Sequence, residues 1–256
     1  MPENDRSAAR EIWDNSIVHE LRHWEYWMTH ESIRPHRDAR MSPEFGFPGA
    51  ARATLGAPPG AVIKALDLGS GPASTVGTNW PGRTVTLMRV DPLADEYNEL
   101  LARHGYAPNI VKGFGETLLD DVAERDFDFV HSGNALDHAY DPMLCIQNMV
   151  AICRPGGWVY FLVFENEAVY ENYAGMHQWN FNIGADKRLY LWNRSSRLDV
   201  EANLHATLPL SSVREMHPSM HRPALIVQIQ KMPSAAMPTE AGVGASVPGD
   251  PALPVS

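Results

Sequence analysis

At 256 residues, 44% hydrophobic and 20% charged, the chain has the composition of an ordinary globular protein, long enough for one well-buried domain with decorations. Its formal charge of −10 argues against a nucleic-acid substrate, because phosphate binding needs a basic footprint, although Lys187, Arg188, Arg194 and Arg197 make a local basic patch. The longest apolar run, Trp158–Phe164, is far below the ~20 residues a membrane span needs, and the charged N-terminus lacks an apolar signal region, so no membrane span and a cytoplasmic location are expected.

From Arg6 to about His30 the spacing predicts an amphipathic helix, with Trp13, Ile17, Leu21, Trp24 and Met28 three or four apart. The plainest role for so aromatic a stripe is to pack the helix onto the domain. Ser32–Pro59, with scattered Pro and Gly, reads as an irregular connector, so residues 1–59 form an N-terminal helical extension and connector. Residues 60–232 form the main domain. It opens with Val62–Leu68, an apolar run of the kind shown by a parallel strand covered on both faces. The run carries the acidic Asp67 near its end and passes into Gly69-Ser70-Gly71-Pro72-Ala73, where glycine lets the backbone turn sharply and approach a ligand that a Cβ would exclude.

A stunted helix is expected next, broken by Pro72, Gly77 and Pro81, and then a second strand, Val85–Val90. That strand ends in Asp91, about 20 residues past the turn, where a dinucleotide fold puts the carboxylate that grips a ribose. Nicotinamide cofactors are disfavoured on two counts. Their fingerprint needs a glycine where Ser74 stands, and Asp67 would face the phosphates with like charge. The same carboxylate favours a ligand carrying an ammonium and a sulfonium.

A helix at Ala94–His104, a strand at Ile110–Val111, a strand at Phe127–His131, a helix at Pro142–Cys153 and a strand at Trp158–Phe164 complete an alternating βα pattern. Such alternation implies a doubly wound, mostly parallel sheet with helices on both faces and ligands beyond the carboxyl ends of its strands. Cys145 and Cys153 fall on the one predicted helix without metal-type spacing and read as reduced, buried thiols. An aromatic stretch at Tyr170–Phe181, a strand at Arg188–Asn193 and a last strand at Leu225–Gln230 follow. The tail, residues 233–256, is Ala-, Pro-, Gly- and Ser-rich and is expected to be disordered.

These residues resemble the class I methyltransferase family. Asp67, Gly69, Gly71 and Ala73 match its first motif, Asp91 its ribose-binding acid, and Gly113-Phe114-Gly115-Glu116 its adenine-contacting segment. Phe127–Val130 matches its fourth strand, and Arg154-Pro155-Gly156-Gly157 with Trp158–Phe164 its turn and fifth strand. The chain departs from the pattern at Phe114, where many members carry an acid for the adenine amino group. The resemblance implies a Rossmann-like seven-stranded sheet with an antiparallel last strand, S-adenosylmethionine as cofactor, and an N-terminal helix acting as a lid. Asp67, Gly69, Ser70, Gly71, Asp91, Pro92, Leu93, Gly115, Glu116, Ser132 and Asn134 are the cofactor-binding candidates.

Methyl transfer from a sulfonium needs alignment, and an alcohol acceptor gains further from a base that takes its proton. His131-Ser132-Gly133-Asn134-Ala135-Leu136-Asp137-His138 lies where cofactor and acceptor should meet. His138 is the candidate base, Asp137 its orienting group or a cation ligand, and His177 and Glu165 are further catalytic candidates. The stretch around His177-Gln178-Trp179 mixes polar donors with an indole that suits a sugar ring. A weaker resemblance to sugar O-methyltransferases of the methylmannose polysaccharide type points to a sugar, oligosaccharide or polysaccharide acceptor. Magnesium assistance is a further option, since Asp137, Asp141, Glu165 and Glu167 are all expected near the acceptor pocket and magnesium needs only one or two carboxylates plus water. N-methylation, phenol O-methylation and a non-catalytic scaffold are the alternatives, and a homodimer is one option for the assembly.

Overall fold

The structure, a computed structural model, describes residues 3–217 and 220–233. Its centre is β1 (Val62–Leu68), whose last four residues are buried. On one side β1 pairs in parallel with β2 (Thr84–Asp91), and β2 with β3 (Ile110–Lys112). On the other it pairs in parallel with β4 (Phe127–Gly133), and β4 with β5 (Cys153–Phe164). Antiparallel to β5 runs β10 (Pro223–Gln230), which pairs in turn with the edge strand β9 (Ser211–Met216). The order β3-β2-β1-β4-β5-β10-β9 is the expected seven-stranded, mostly parallel sheet with an antiparallel last strand.

Burial explains the order. Leu66 and Leu68, Phe127 and Val130, Val159, Phe161 and Val163, and Leu225, Val227 and Ile229 meet Ile146 and Met149 of α6 (Pro142–Ile152) in one core. The opposite face of the sheet carries Ile63, Ala65, Phe129 and Tyr160, packed against Phe47, Ala51 and Trp80. Part of that cover comes from the segment expected to be an irregular connector. It contains α2 (Arg34–Met41) and α3 (Gly49–Leu55). The prolines and glycine that read as breakers bound these helices instead: Pro35 sits in the first turn of α2, Pro48 is the N-cap of α3, and Gly56 closes α3 with a left-handed φ of 53°.

No helix stands between β1 and β2, where a stunted one was expected. Asn79 instead exchanges backbone hydrogen bonds with Phe45 and Phe47 of the connector, so the segment is held by that strap. The first helix, α1 (Glu3–Thr29), lays Trp13, Ile17, Leu21, Trp24 and Met28 against Leu93, Tyr97, Leu100 and Leu101 at α4 (Ala94–Arg103). After β3 comes the short α5 (Leu118–Asp121), and after β5 the short α7 (Glu167–Tyr170).

A second, three-stranded sheet has no counterpart in the sequence reading beyond one strand: β6 (Asn180–Ile183), β7 (Leu189–Trp192) and β8 (Arg197–Asp199). Phe181, Leu189 and Leu191 bind it into the main core. Cys153 begins β5 rather than ending a helix, and it and Cys145 are free, buried thiols. In the basic patch Arg188 pairs with Asp199, while Arg194 and Arg197 lie over Tyr173 and Tyr190. Among the described residues no helix is long and apolar enough to cross a membrane. The predicted disordered tail beyond Pro233 lies outside the described residues.

Candidate functional site

At the carboxyl end of β1 the chain turns through two glycines whose left-handed backbone leaves no room for a Cβ. Gly69 has φ 68° and a Cβ there would lie 2.4 Å from the Cβ of Ala135; Gly71 has φ 54° and a Cβ would meet the indole of Trp24 at 2.5 Å. Guanidinium groups brace the turn from behind. Arg89 donates to the carbonyl of Gly71 at 2.9 Å, and Arg40 from α2 donates to the carbonyls of Ala73 and Ser74. Burial pulls Arg40 down to about 10.

Both acids at the turn are buried and hydrogen-bonded. Asp67 faces His131 Nδ1 at 2.8 Å and accepts from the Ser74 hydroxyl at 2.5 Å. Asp91 accepts from the backbone N–H of Gly71 at 2.9 Å and of Leu93 at 3.0 Å. Burial pushes the Asp91 carboxyl up to about 7, against the pull of those two donors and with a further push from Glu20 and Asp67. Each carboxylate oxygen keeps acceptor capacity for a second donor.

These groups open onto a cavity of about 1030 Å³, at the upper end of the range for ligand sites. All eleven cofactor candidates line it. Asp67, Gly69, Ser70 and Gly71 come from the turn, Asp91, Pro92 and Leu93 from the end of β2, Gly115 and Glu116 from the loop after β3, and Ser132 and Asn134 from the end of β4. Within this wall the Ser132 hydroxyl and the side-chain oxygen of Asn134 are buried without a hydrogen-bond partner. Orphaned polar atoms of this kind call for a donor or acceptor supplied from the cavity.

Glu116 is the exception in kind. Its carboxylate accepts from the backbone N–H of Asp141 at 2.9 Å, and burial pushes its pKa up. It therefore clamps the loop after β3 to the start of α6. Beside it, Phe114 takes the edge of Trp13 at 5.4 Å and the guanidinium of Arg10 at 4.3 Å. Trp13 and Trp24 of the stripe, and Trp27 beside them, line the cavity while packing on the domain. Composition did not point to Glu20, which also lines the cavity and accepts from Trp24 Nε1 at 2.8 Å.

At another part of the wall the loop after β4 meets the loop before β6. Asp137, fully buried, accepts from His177 Nδ1 at 2.7 Å, and His138 Nε2 lies 3.2 Å from the same nitrogen. Both imidazoles line the cavity with Asp137 behind them. Burial pushes the Asp137 carboxyl up, but the His138 and His177 imidazoles outweigh it and hold the acid below its ordinary value. Burial likewise pulls His177 down, and the hydrogen bond and charge of Asp137, with Glu167 and Glu171, raise it above the ordinary value.

Three expectations need correction. Glu165 does not line the cavity: its carboxylate is taken by Arg214 of β9 at 2.6 Å. The acid at the cavity is Glu167, bidentate on Arg222 at 2.8 and 3.2 Å and 4.0 Å from His177. Trp179 is 3% exposed in the main core and offers no face to a sugar. Nor do the four carboxylates named for magnesium gather, since Asp141 caps α6 and Glu165 pairs with Arg214. Among the described residues, Asp137, His138 and His177 form the one group of three potential metal ligands.

Residues 66–161 match the family described as Methyltransferase domain. No curated protein sequence matches the chain. Among solved structures, the plantazolicin methyltransferase BamL, determined with a triazolic desmethylPZN analog and SAH, superposes with a TM-score of 0.52 at 12% identity over 90% of this chain and 96% of that one. An S-adenosylmethionine-dependent methyltransferase from Clostridium acetobutylicum gives 0.49 at 13% identity, over 84% and 99%. The 1,6-didemethyltoxoflavin-N1-methyltransferase of Burkholderia thailandensis, bound to 1,6-didemethyltoxoflavin and S-adenosylhomocysteine, gives 0.45 at 17%, over 86% and 90%. The family match over residues 66–161, together with the sheet order and the two-glycine turn, supports a class I S-adenosylmethionine-dependent methyltransferase domain in this chain.

Proposed function

We propose that the chain transfers a methyl group from S-adenosylmethionine to a hydroxyl of a small polar acceptor, a sugar or a sugar-bearing molecule. Bound along the β1, β2 and β4 ends, the cofactor supplies a methyl group already activated by its sulfonium. The residues fit it: Asp91 has acceptor capacity for ribose hydroxyls, and Ser132 and Asn134 offer unpartnered polar atoms.

The observation that carries the hydroxyl assignment is the Asp137–His177 pair at 2.7 Å beside His138. An amine needs only to be neutral, whereas an alcohol oxygen gains nucleophilicity as a base takes its proton. A buried carboxylate behind an imidazole is the arrangement that orients such a base, its Nδ1–H on the acid and its Nε2 left for the hydroxyl. On this reading His177 is the base and His138 its neighbour at the acceptor. Glu167, Glu171 and Arg222 at the cavity wall suit a polyhydroxylated acceptor, which needs both hydrogen-bond acceptors and donors.

The test is product analysis by mass spectrometry with matched hydroxyl- and amine-bearing sugars and phenols. Methylation of sugar hydroxyls, lost in His177→Ala with S-adenosylhomocysteine binding retained, is the expected result. Methylation confined to amines would overturn the hydroxyl assignment, and methylation confined to phenols the sugar. Tight cofactor binding with no transfer to any acceptor would revive a scaffold role.

A further inference from the structure

We propose that Asp137, His138 and His177 hold a divalent transition-metal ion. Three ligand atoms converge there. His177 Nδ1 is 2.7 Å from Asp137 Oδ2 and 3.2 Å from His138 Nε2, and the latter two are 3.6 Å apart. Nitrogen and oxygen ligands about 2.1 Å from a common ion stand roughly 3.0–3.4 Å from one another, so the triangle needs only small side-chain adjustments to close on one.

Proton counting points the same way. A proton on His177 Nδ1 serves Asp137 or His138 but not both in full, and a proton placed on His138 Nε2 instead leaves the 2.7 Å contact between His177 and Asp137 without one. Asp137 Oδ1, in a side chain with no solvent exposure, has no partner at all. A cation in the triangle would satisfy its three converging atoms at once and offset the charge of the buried carboxylate. Glu167, 4.0 Å from His177, adds negative charge close by, and its pairing with Arg222 leaves the Asp137 carboxylate as the charged ligand.

The donor set fixes the class of metal. Two imidazoles and one carboxylate suit zinc, iron(II), cobalt(II) or manganese, while magnesium and calcium prefer an all-oxygen shell. Three protein ligands leave further coordination positions open, and both histidines line the cavity. An ion held there would lower the proton affinity of an acceptor hydroxyl bound to it, so that the hydroxyl proton passes to water in the open cavity while the His177 imidazole serves as a ligand. Only that consequence rests on the hydroxyl reading above; the binding itself does not.

The experiment uses the full chain, stripped by a chelator and titrated with CoCl₂ while its visible ligand-field absorption is recorded. One ion per chain is expected, displaced by ZnCl₂, with affinity weakened on the order of tenfold or more in His138→Ala and in Asp137→Asn. Calorimetric binding of S-adenosylhomocysteine certifies that each variant is folded. Should Asp137→Asn fail that check, His138→Gln takes its place. No absorption change at millimolar CoCl₂, or equal affinity in wild type and His138→Ala, overturns the metal site. Hydroxyl methylation by a chain that binds no cobalt would sink this inference and leave the proposed function standing. Cobalt binding by a chain that methylates only amines would do the reverse.

Discussion

The indole of Trp24 stands directly over Gly71, so near that a Cβ on the glycine would lie 2.5 Å from the ring. The covering helix α1 and the glycine turn are thus fitted to one another with no room between them. Gly71→Ala should destabilise the chain through two separable causes, the clash and the left-handed φ of 54°. On a Trp24→Ala background the clash is gone, so the further cost of Gly71→Ala should fall to the backbone strain of roughly 1–2 kcal/mol. Thermal denaturation of wild type, both single variants and the double checks this; an equal cost of Gly71→Ala on the two backgrounds would mean that the indole moves aside freely.

Ser132 and Asn134 separate stability from binding. Their buried polar atoms lack partners in the chain, so Ser132→Ala should leave the free protein as stable as before or slightly more so. Cofactor affinity should fall, by about 0.5–1.5 kcal/mol for a neutral hydrogen bond and more for one to the charged amino-acid end. Calorimetry and a melting curve on the same sample decide the matter. A loss of stability without a loss of affinity would show that the hydroxyl serves the fold.

Asp91 makes the cofactor site pH-dependent. In the free chain its carboxyl is raised to about 7 by burial, with Glu20 of α1 and Asp67 of β1 adding to the push and the Gly71 and Leu93 N–H groups opposing it. Ribose hydroxyls would add donors to the ionised form, so the complex holds fewer protons than the free chain and affinity should rise as pH increases through about 7. Stability of the free chain carries the opposite sign. A carboxyl raised from 3.8 to about 7 in the fold contributes stability that is complete below 3.8 and lost as pH rises through about 7. Asp91→Asn should bind weakly and flatten the pH dependence of affinity; calorimetry from pH 5.5 to 8.5 reads both.

The turn and its acids were legible because they are local: an apolar strand, two glycines and a following acid determine their own geometry. Distant pairings were not. Asp137 and His177 are forty residues apart in sequence, and they meet because the loop before β6 folds back, its Gln178 N–H reaching the Asp137 carbonyl at 3.3 Å. Pro35 and Pro48 misled for another reason, since proline bounds a helix as readily as it breaks one. The confusion of Glu165 with Glu167 has a backbone cause. Asn166 between them is left-handed at φ 57°, which turns the chain and sends the two carboxylates to different partners.

Those two acids should answer mutation differently. Arg214, partner of Glu165, is 58% exposed, so Arg214→Ala should cost no more than about 1 kcal/mol, the usual worth of a solvent-screened pair. Arg222 and Glu167 are 10% and 5% exposed, and breaking a buried pair by removing one partner costs about 3–5 kcal/mol. Glu167→Ala should fall below that range, because Glu171 stands 3.6 Å from Arg222 and can take over part of the charge. A double-mutant cycle on Glu167 and Glu171, followed by chemical denaturation, isolates that rescue: the double variant should lose more than the two singles together. Strict additivity would show that Glu171 does not take over the charge left by Glu167, the two carboxylates acting on this arginine independently.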